Sequence, residues 1–217
     1  MTLTVWGRAT SSNVQVVMWA VAELGLDARR IDVGHSYGGL DTAEYGALNP
    51  NRRVPTLQDG DLTLWESQAI LRYLAARYGD GAFWPTDPAR RAGLDMWAEW
   101  IRTTFQPHFN YEIFWQMVRV GAAERDEAAI ARSVESLKPV VGLLETRLAE
   151  RWDGGPFLNG PEVCWADMVV GHLLYRYYTL PFERAETPAL DAYYERLTTR
   201  PAFAEHVMVS YEPLRVL

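Results

Sequence analysis

Apolar residues recur along this chain with two different periods, and the switch between them divides it. Leu3, Val5 and Gly7 alternate with Thr4 and Trp6, as on a half-buried strand. From Val14 the step becomes helical. Val14, Val17, Met18, Val21 and Leu24 fall on one face, with Ser12 or Asn13 placed to cap its start and Gly25 to end it. Residues 30–33 read as a weak second strand, 34–39 as a flexible loop and 41–48 as a short helix before Asn49-Pro50. Residues 56–58 and 62–65 alternate again about Asp59-Gly60, a pair suited to a tight hairpin turn. Ile70, Leu71, Leu74, Ala75 and Tyr78 then return to helical spacing.

A strand, a helix and a second strand imply parallel pairing through a right-handed crossover, and the hairpin adds antiparallel strands. The expectation is an α/β domain with a mixed four-stranded sheet over residues 1–80. Gly79, Gly81, Pro85 and Pro88 mark a linker, placed at 81–87. Residues 88–217 read as an all-α helical bundle. Leu94, Trp97, Ile101 and Phe105 form one stripe, Ile130, Val134, Leu137, Val141, Leu144 and Leu148 another, and 167–178 and 190–197 supply further helices.

Charge and composition narrow the function. A net charge of −7 without a basic run argues against nucleic acid as the main partner. The single cysteine, Cys164, excludes a disulfide framework and a cysteine metal cluster, and fits a reducing compartment. The first residues lack the pattern of a signal peptide and no apolar run approaches the ~18 residues of a membrane span. The expected location is cytoplasmic. His35, His108, His172 and His206 show no paired metal spacing, and no glycine-rich phosphate loop is present.

The candidate chemistry lies around the hairpin. Glu66 and Ser67 open the helix after it. Unpaired N–H groups and the positive dipole end there attract an anion while the Glu66 carboxylate attracts a cation, a combination suited to an amino acid zwitterion. Pro55, directly before a strand, turns the chain and leaves the N–H and carbonyl of Val54 for an extended peptide. Taken singly, these features also read as a hairpin, a capped helix and an incidental proline, and the polar break Thr10-Ser11-Ser12-Asn13 reads as caps and loop.

Together the pieces resemble a cytosolic glutathione transferase, bacterial and serine-type, similar to phi-, theta- and nu-like members, over essentially the whole chain. The resemblance is carried by Thr10-Ser11-Ser12-Asn13-Val14, the run from Leu48 to Leu57, Trp65-Glu66-Ser67-Gln68-Ala69-Ile70, and Ala166-Asp167. It implies a thioredoxin-like first domain, a helical second domain, a homodimer, and glutathione as co-substrate without a metal. Carried over to this chain, Pro55 is the cis-proline, Val54 pairs its backbone with the cysteinyl part of glutathione, and Glu66 and Ser67 hold the γ-glutamyl group. Ser11 is the hydroxyl donor to the thiol, with Asn13 as the alternative used by relatives that carry threonine there. Trp6 stands where many relatives have tyrosine.

The glycyl end departs from the pattern. Many relatives place lysine or histidine before the second helix, where this chain has Gly38-Gly39-Leu40-Asp41. His35, Arg52 and Arg53 are the nearby cations, and Arg53, next to Val54, is chosen. For the second substrate, a small hydrophobic electrophile, the steps of a regular helix opposite Trp97 and Ile101 select Thr104, His108, Tyr111 and Trp115. Cys164 and Asp167 are assigned to a helix cap. Three functions follow: conjugation of glutathione to electrophiles, with peroxide reduction as a companion activity; disulfide reduction by bound glutathione without a protein cysteine; or a non-catalytic binding protein on the same fold.

Overall fold

The structure, a computed structural model, describes residues 2–150 and 154–216. Strand β1 (Leu3–Trp6) leads into helix α1 (Ser12–Glu23), strand β2 (Ala28–Ile31), one short turn of 3₁₀ helix (His35–Tyr37) and helix α2 (Ala43–Leu48). Strands β3 (Thr56–Asp59) and β4 (Leu62–Trp65) form the hairpin, and α3 (Ser67–Tyr78) follows directly. The sheet order is β2-β1-β3-β4, with β1 parallel to β2 and antiparallel to β3. The mixed four-stranded sheet read from the sequence is therefore observed.

Strand β2 lies two residues earlier than its apolar pattern indicated. Pairing decides this. All four residues of β1 take partners, Leu3 with Ala28 through Trp6 with Ile31, and Gly34 then leaves the strand direction at φ 84°.

After residue 80 the chain is helical: α4 (Pro88–Trp100), α5 (Trp115–Arg119), α6 (Glu127–Ala149), α7 (Trp165–Gly171), α8 (Leu174–Thr179), α9 (Pro188–Thr198) and α10 (Pro201–His206). Between α4 and α5 the backbone stays helical but winds more widely. Ile101–Phe105 and Pro107–Phe114 are π-helical, with Gln106 N–H donating to the Ile101 carbonyl and Trp115 N–H to that of Asn110. Each such bond spans five residues instead of four.

Helix α1 joins the two halves. Its sequence suggested one apolar face, yet every residue from Val14 to Val21 is buried. The helix packs on α3 on one side and on α7 and α10 on the other. Trp19 meets Phe203 edge-on at 4.9 Å, and the Glu23 carboxylate accepts from both Arg200 Nε (2.7 Å) and Nη2 (2.5 Å). A helix covered on both sides has no solvent face to keep polar. In α7 the Asp167 carboxylate is fully buried and accepts from Cys164 N–H, Leu158 N–H and the Tyr193 hydroxyl. Cys164 and Asp167 thus face each other across the start of α7, where sequence reading put them.

Candidate active site

The start of α1 is unusual for what its hydroxyls do not do. Ser11 is the N-cap residue, extended at φ −87° and ψ 120°, but its side chain makes no capping bond. Its carbonyl instead accepts from Val14 and Gln15 N–H, both at 2.9 Å. The Ser11 hydroxyl stands beside first-turn N–H groups that a helix cannot satisfy internally, without capping them. The loop before it is held from two sides: Gln15 Nε2 donates to the Ala9 carbonyl at 2.9 Å, and Arg176 Nη2 of α8 donates to the Thr10 carbonyl at 2.8 Å.

The second part of the site is the turn into β3. The Val54–Pro55 peptide is cis. The register between β1 and β3 ends at Trp6–Thr56, so Val54 lies beyond the ladder and its backbone is not used by the sheet. Arg53 is anchored through its carbonyl, which accepts from the Tyr45 hydroxyl at 2.6 Å and Asn49 Nδ2 at 2.8 Å; both donors also reach Thr56 Oγ1. Burial raises the Tyr45 pKa, which keeps this hydroxyl a donor.

The third part is the start of α3. Glu66 is its N-cap residue but sits at φ 70°, a region costly for a non-glycine residue by about 1–3 kcal/mol. That backbone sends its carboxylate outward, without a capping bond, while Ser67 behind it is buried.

These parts frame one cleft. A cavity of about 280 Å³ is lined by Arg53, Val54, Pro55, Glu66 and Ser67, which are all five residues expected to bind glutathione. A second, of about 330 Å³, is lined by Ser11 and its neighbours Thr10, Ser12 and Asn13. Asn13, Arg53, Val54, Gln106 and Tyr111 line both, so the two are continuous. Three residues that line this space carry a buried side-chain atom without a partner: Gln68 Oε1 on the smaller side, and Asn110 Oδ1 and Arg8 Nε on the larger.

Of the residues expected at the second-substrate wall, Tyr111 and Trp115 line the cleft, their rings edge-on at 4.8 Å. Thr104 and His108 do not. His108 turns back along its own helix, its Nδ1 2.8 Å from the Thr104 carbonyl. The expectation assumed 3.6 residues per turn, whereas the wider turn of the π-wound stretch changes which positions share a face, and the cleft is lined from it by Gln106, Asn110, Tyr111, Phe114 and Trp115.

Sequence reasoning passed over Tyr45, Asn49, Asn110, Arg8, Arg119 and Arg176. A tyrosine or asparagine that pins a loop carbonyl has no local sequence signature. Among the other expected cations, Arg52 is occupied by the Leu40 and Thr42 carbonyls at 2.9 and 2.8 Å, and His35 is exposed in the 3₁₀ turn. Trp6 turns aside and donates to Gln58 Oε1 at 2.7 Å. Among the described residues no group of three or more His, Cys, Asp or Glu is placed to hold a metal ion, and no helix is long and apolar enough to cross a membrane.

Comparison with known proteins agrees over both halves. The family model for the glutathione S-transferase N-terminal domain matches residues 1–76, and that for the C-terminal domain matches residues 127–196. Glutathione S-transferase GstB of Escherichia coli K12 is 36% identical over 210 residues, covering 95% of this chain and 98% of the relative. Glutathione S-transferase 3 of Zea mays is 32% identical over 213 residues, covering 94% and 93%. The crystal structure of a theta class glutathione S-transferase from Xanthomonas axonopodis pv. citri, with glutathione bound, superposes with a TM-score of 0.88 at 43% identity, covering 96% of this chain and 98% of that one.

Proposed function

Because this chain belongs to the glutathione S-transferase family, we propose that the cleft binds glutathione along the line from Ser67 to Arg53, ionises its thiol beside Ser11 and adds the thiolate to an apolar electrophile. The observation that carries this reading is the Ser11 hydroxyl, which stands at the start of α1, makes no capping bond and lines the same cleft as Val54, Glu66 and Ser67.

Each residue has a task that its chemistry suits. Ser67 and the free N–H groups of α3 receive the γ-glutamyl carboxylate, and the Glu66 carboxylate receives the ammonium beside it. Val54, held by the Tyr45 and Asn49 bonds on its neighbour, offers backbone N–H and carbonyl to the cysteinyl residue. Arg53 faces the glycyl carboxylate. An unperturbed thiol has a pKa of about 8.5, so at neutral pH little of it is thiolate. The Ser11 hydroxyl donates a hydrogen bond to sulfur, the α1 dipole adds partial positive charge, and both favour the ionised form without a general base. Asn13 lines both cavities and is the second donor. Tyr111 and Trp115 face the electrophile. Cytoplasmic residence, a homodimer, and the division into domains 1–80 and 88–217 with a linker at 81–87 belong to the same proposal.

The test is the rate with a chlorinated nitroaromatic as a function of pH. Ser11→Ala should lower kcat by about tenfold to a hundredfold and move the half-maximal rate to higher pH, with glutathione affinity retained. An unchanged rate and profile in Ser11→Ala removes Ser11 from the mechanism. Turnover on a small disulfide that depends on Asn13 would support the disulfide reductase instead, and absence of glutathione binding at millimolar concentration would support a non-catalytic binding protein.

A further inference from the structure

Three guanidinium groups border the part of the cleft beyond Ser11: Arg8 from the loop before α1, Arg119 at the end of α5 and Arg176 on α8. No aspartate or glutamate lines that cavity, and neither Arg8 nor Arg119 makes an ion pair among the described residues. Arg176 is only 5% exposed, and Arg8 Nε is buried with no partner. The three charges are close enough to oppose one another. Burial and then the charges of Arg119 and Arg8 bring the Arg176 pKa down to about 9, and burial and then Arg119 lower that of Arg8.

Like charges gathered in a half-buried site without a counterion are unfavourable unless an anion joins them. Flat apolar surface lies against the same groups. Arg176 stacks over the Phe114 ring at 4.5 Å and Arg119 over the Trp115 ring at 5.3 Å. Asn110, 5% exposed, lines the same cavity, and its amide oxygen is buried without a partner.

We propose that the electrophile taken by this cleft carries a carboxylate on a flat apolar body, with Arg8 and Arg119 pairing the carboxylate and the exposed rings of Tyr111 and Trp115 covering the body. Arg176, whose Nη2 is committed to Thr10, adds field without being the primary partner. The proposal rests on the transferase reading for the chemistry and on the arginines for the substrate class. With a benzylic bromide the glutathione sulfur forms a bond to carbon as the carbon–bromine bond breaks. Bromide leaves with the electron pair and the thiol proton goes to solvent.

The experiment pairs 4-(bromomethyl)benzoate with its neutral isostere 4-(bromomethyl)benzamide, and measures binding of the unreactive 4-methylbenzoate and 4-methylbenzamide by calorimetry with and without saturating glutathione. Saturation fills the subsite of the glycyl carboxylate, so any remaining carboxylate binding belongs to this part of the cleft. The benzoate is expected to exceed the benzamide in kcat/KM by about tenfold or more, and Arg119→Gln and Arg8→Gln each to bring that ratio toward one, while Arg119→Lys keeps most of it. Binding of 4-methylbenzoate that depends on Arg119 in a protein with no turnover overturns the transferase reading and supports the anion site. Equal handling of carboxylate and amide in the unaltered protein, or a ratio indifferent to both glutamine variants, overturns the anion site.

Discussion

Arg176 Nη2 donates to the Thr10 carbonyl at 2.8 Å across 166 residues of sequence, so a helix of the C-terminal half holds the loop that presents Ser11. Arg176→Gln leaves that half-buried carbonyl short of a donor, a cost of about 1 kcal/mol that is offset in part by removing a buried charge. We expect a modest fall in Tm. Because the lost contact positions the hydroxyl rather than the ligand, kcat should fall by about tenfold and the pH of half-maximal rate should rise, with glutathione Kd within about threefold. A matched change in Kd and no movement of the pH profile would show Arg176 to be a binding residue instead.

Glu66 carries its carboxylate outward on a positive-φ backbone with no capping bond. Glu66→Gln keeps the shape and removes the charge, and should weaken glutathione about tenfold, the scale of one charge-assisted hydrogen bond. The same substitution should leave unchanged the affinity for an analogue lacking the γ-glutamyl amino group. Equal losses with both ligands would place the ammonium elsewhere.

Tyr45 and Asn49 donate to one carbonyl, that of Arg53. Tyr45→Phe and Asn49→Ala should each raise glutathione Kd several-fold while leaving kcat for the bound thiol nearly intact. Their effects should be non-additive, because either donor alone still holds the turn that presents Val54. Additive effects in the double variant would show that the two bonds act independently.

His172 is fully buried in the fold, and burial lowers its pKa to about 4 while Nδ1 sits 2.7 Å from the Val169 carbonyl. In the unfolded chain the imidazole titrates near 6.5. Between those values the unfolded state binds a proton that the folded state does not, so the stability due to neutral His172 is complete above about pH 6.5, is lost as pH falls toward 4, and changes no further below that. The size is roughly 3 kcal/mol. Denaturant unfolding at pH 7.5 and 4.5 should show His172→Gln less sensitive to acid than the unaltered protein by about that order; equal acid sensitivity would rule the titration out.

Much of the site was legible because it is local. Asp59-Gly60 sets the hairpin, Pro55 ends the strand ladder and Ser67 starts a helix, each through residues within a few positions of one another. The cavity lining of Arg53, Val54, Pro55, Glu66 and Ser67, the proposed binding line, needed nothing from the rest of the chain except the sheet that aligns β3 with β1. What the Ser11 hydroxyl does was not local. Capping and ligand binding begin from the same residue types, and only the folded backbone shows that no capping bond forms here.

The sequence by itself determined the order of elements, the hairpin and the polar start of α1, because hydrophobic period and turn chemistry act over one or two turns. Tertiary structure decided four further matters. Pairing with a four-residue β1 moved β2 two residues upstream, and packing between α3 and α7 with α10 buried α1 all round. The π winding from Ile101 to Phe114 left Thr104 and His108 off the cleft and brought Gln106 and Asn110 onto it. Arg8, Arg119 and Arg176 came together from three distant segments. Their shared charge is a property of a cavity, and a cavity exists only once the chain has closed around it.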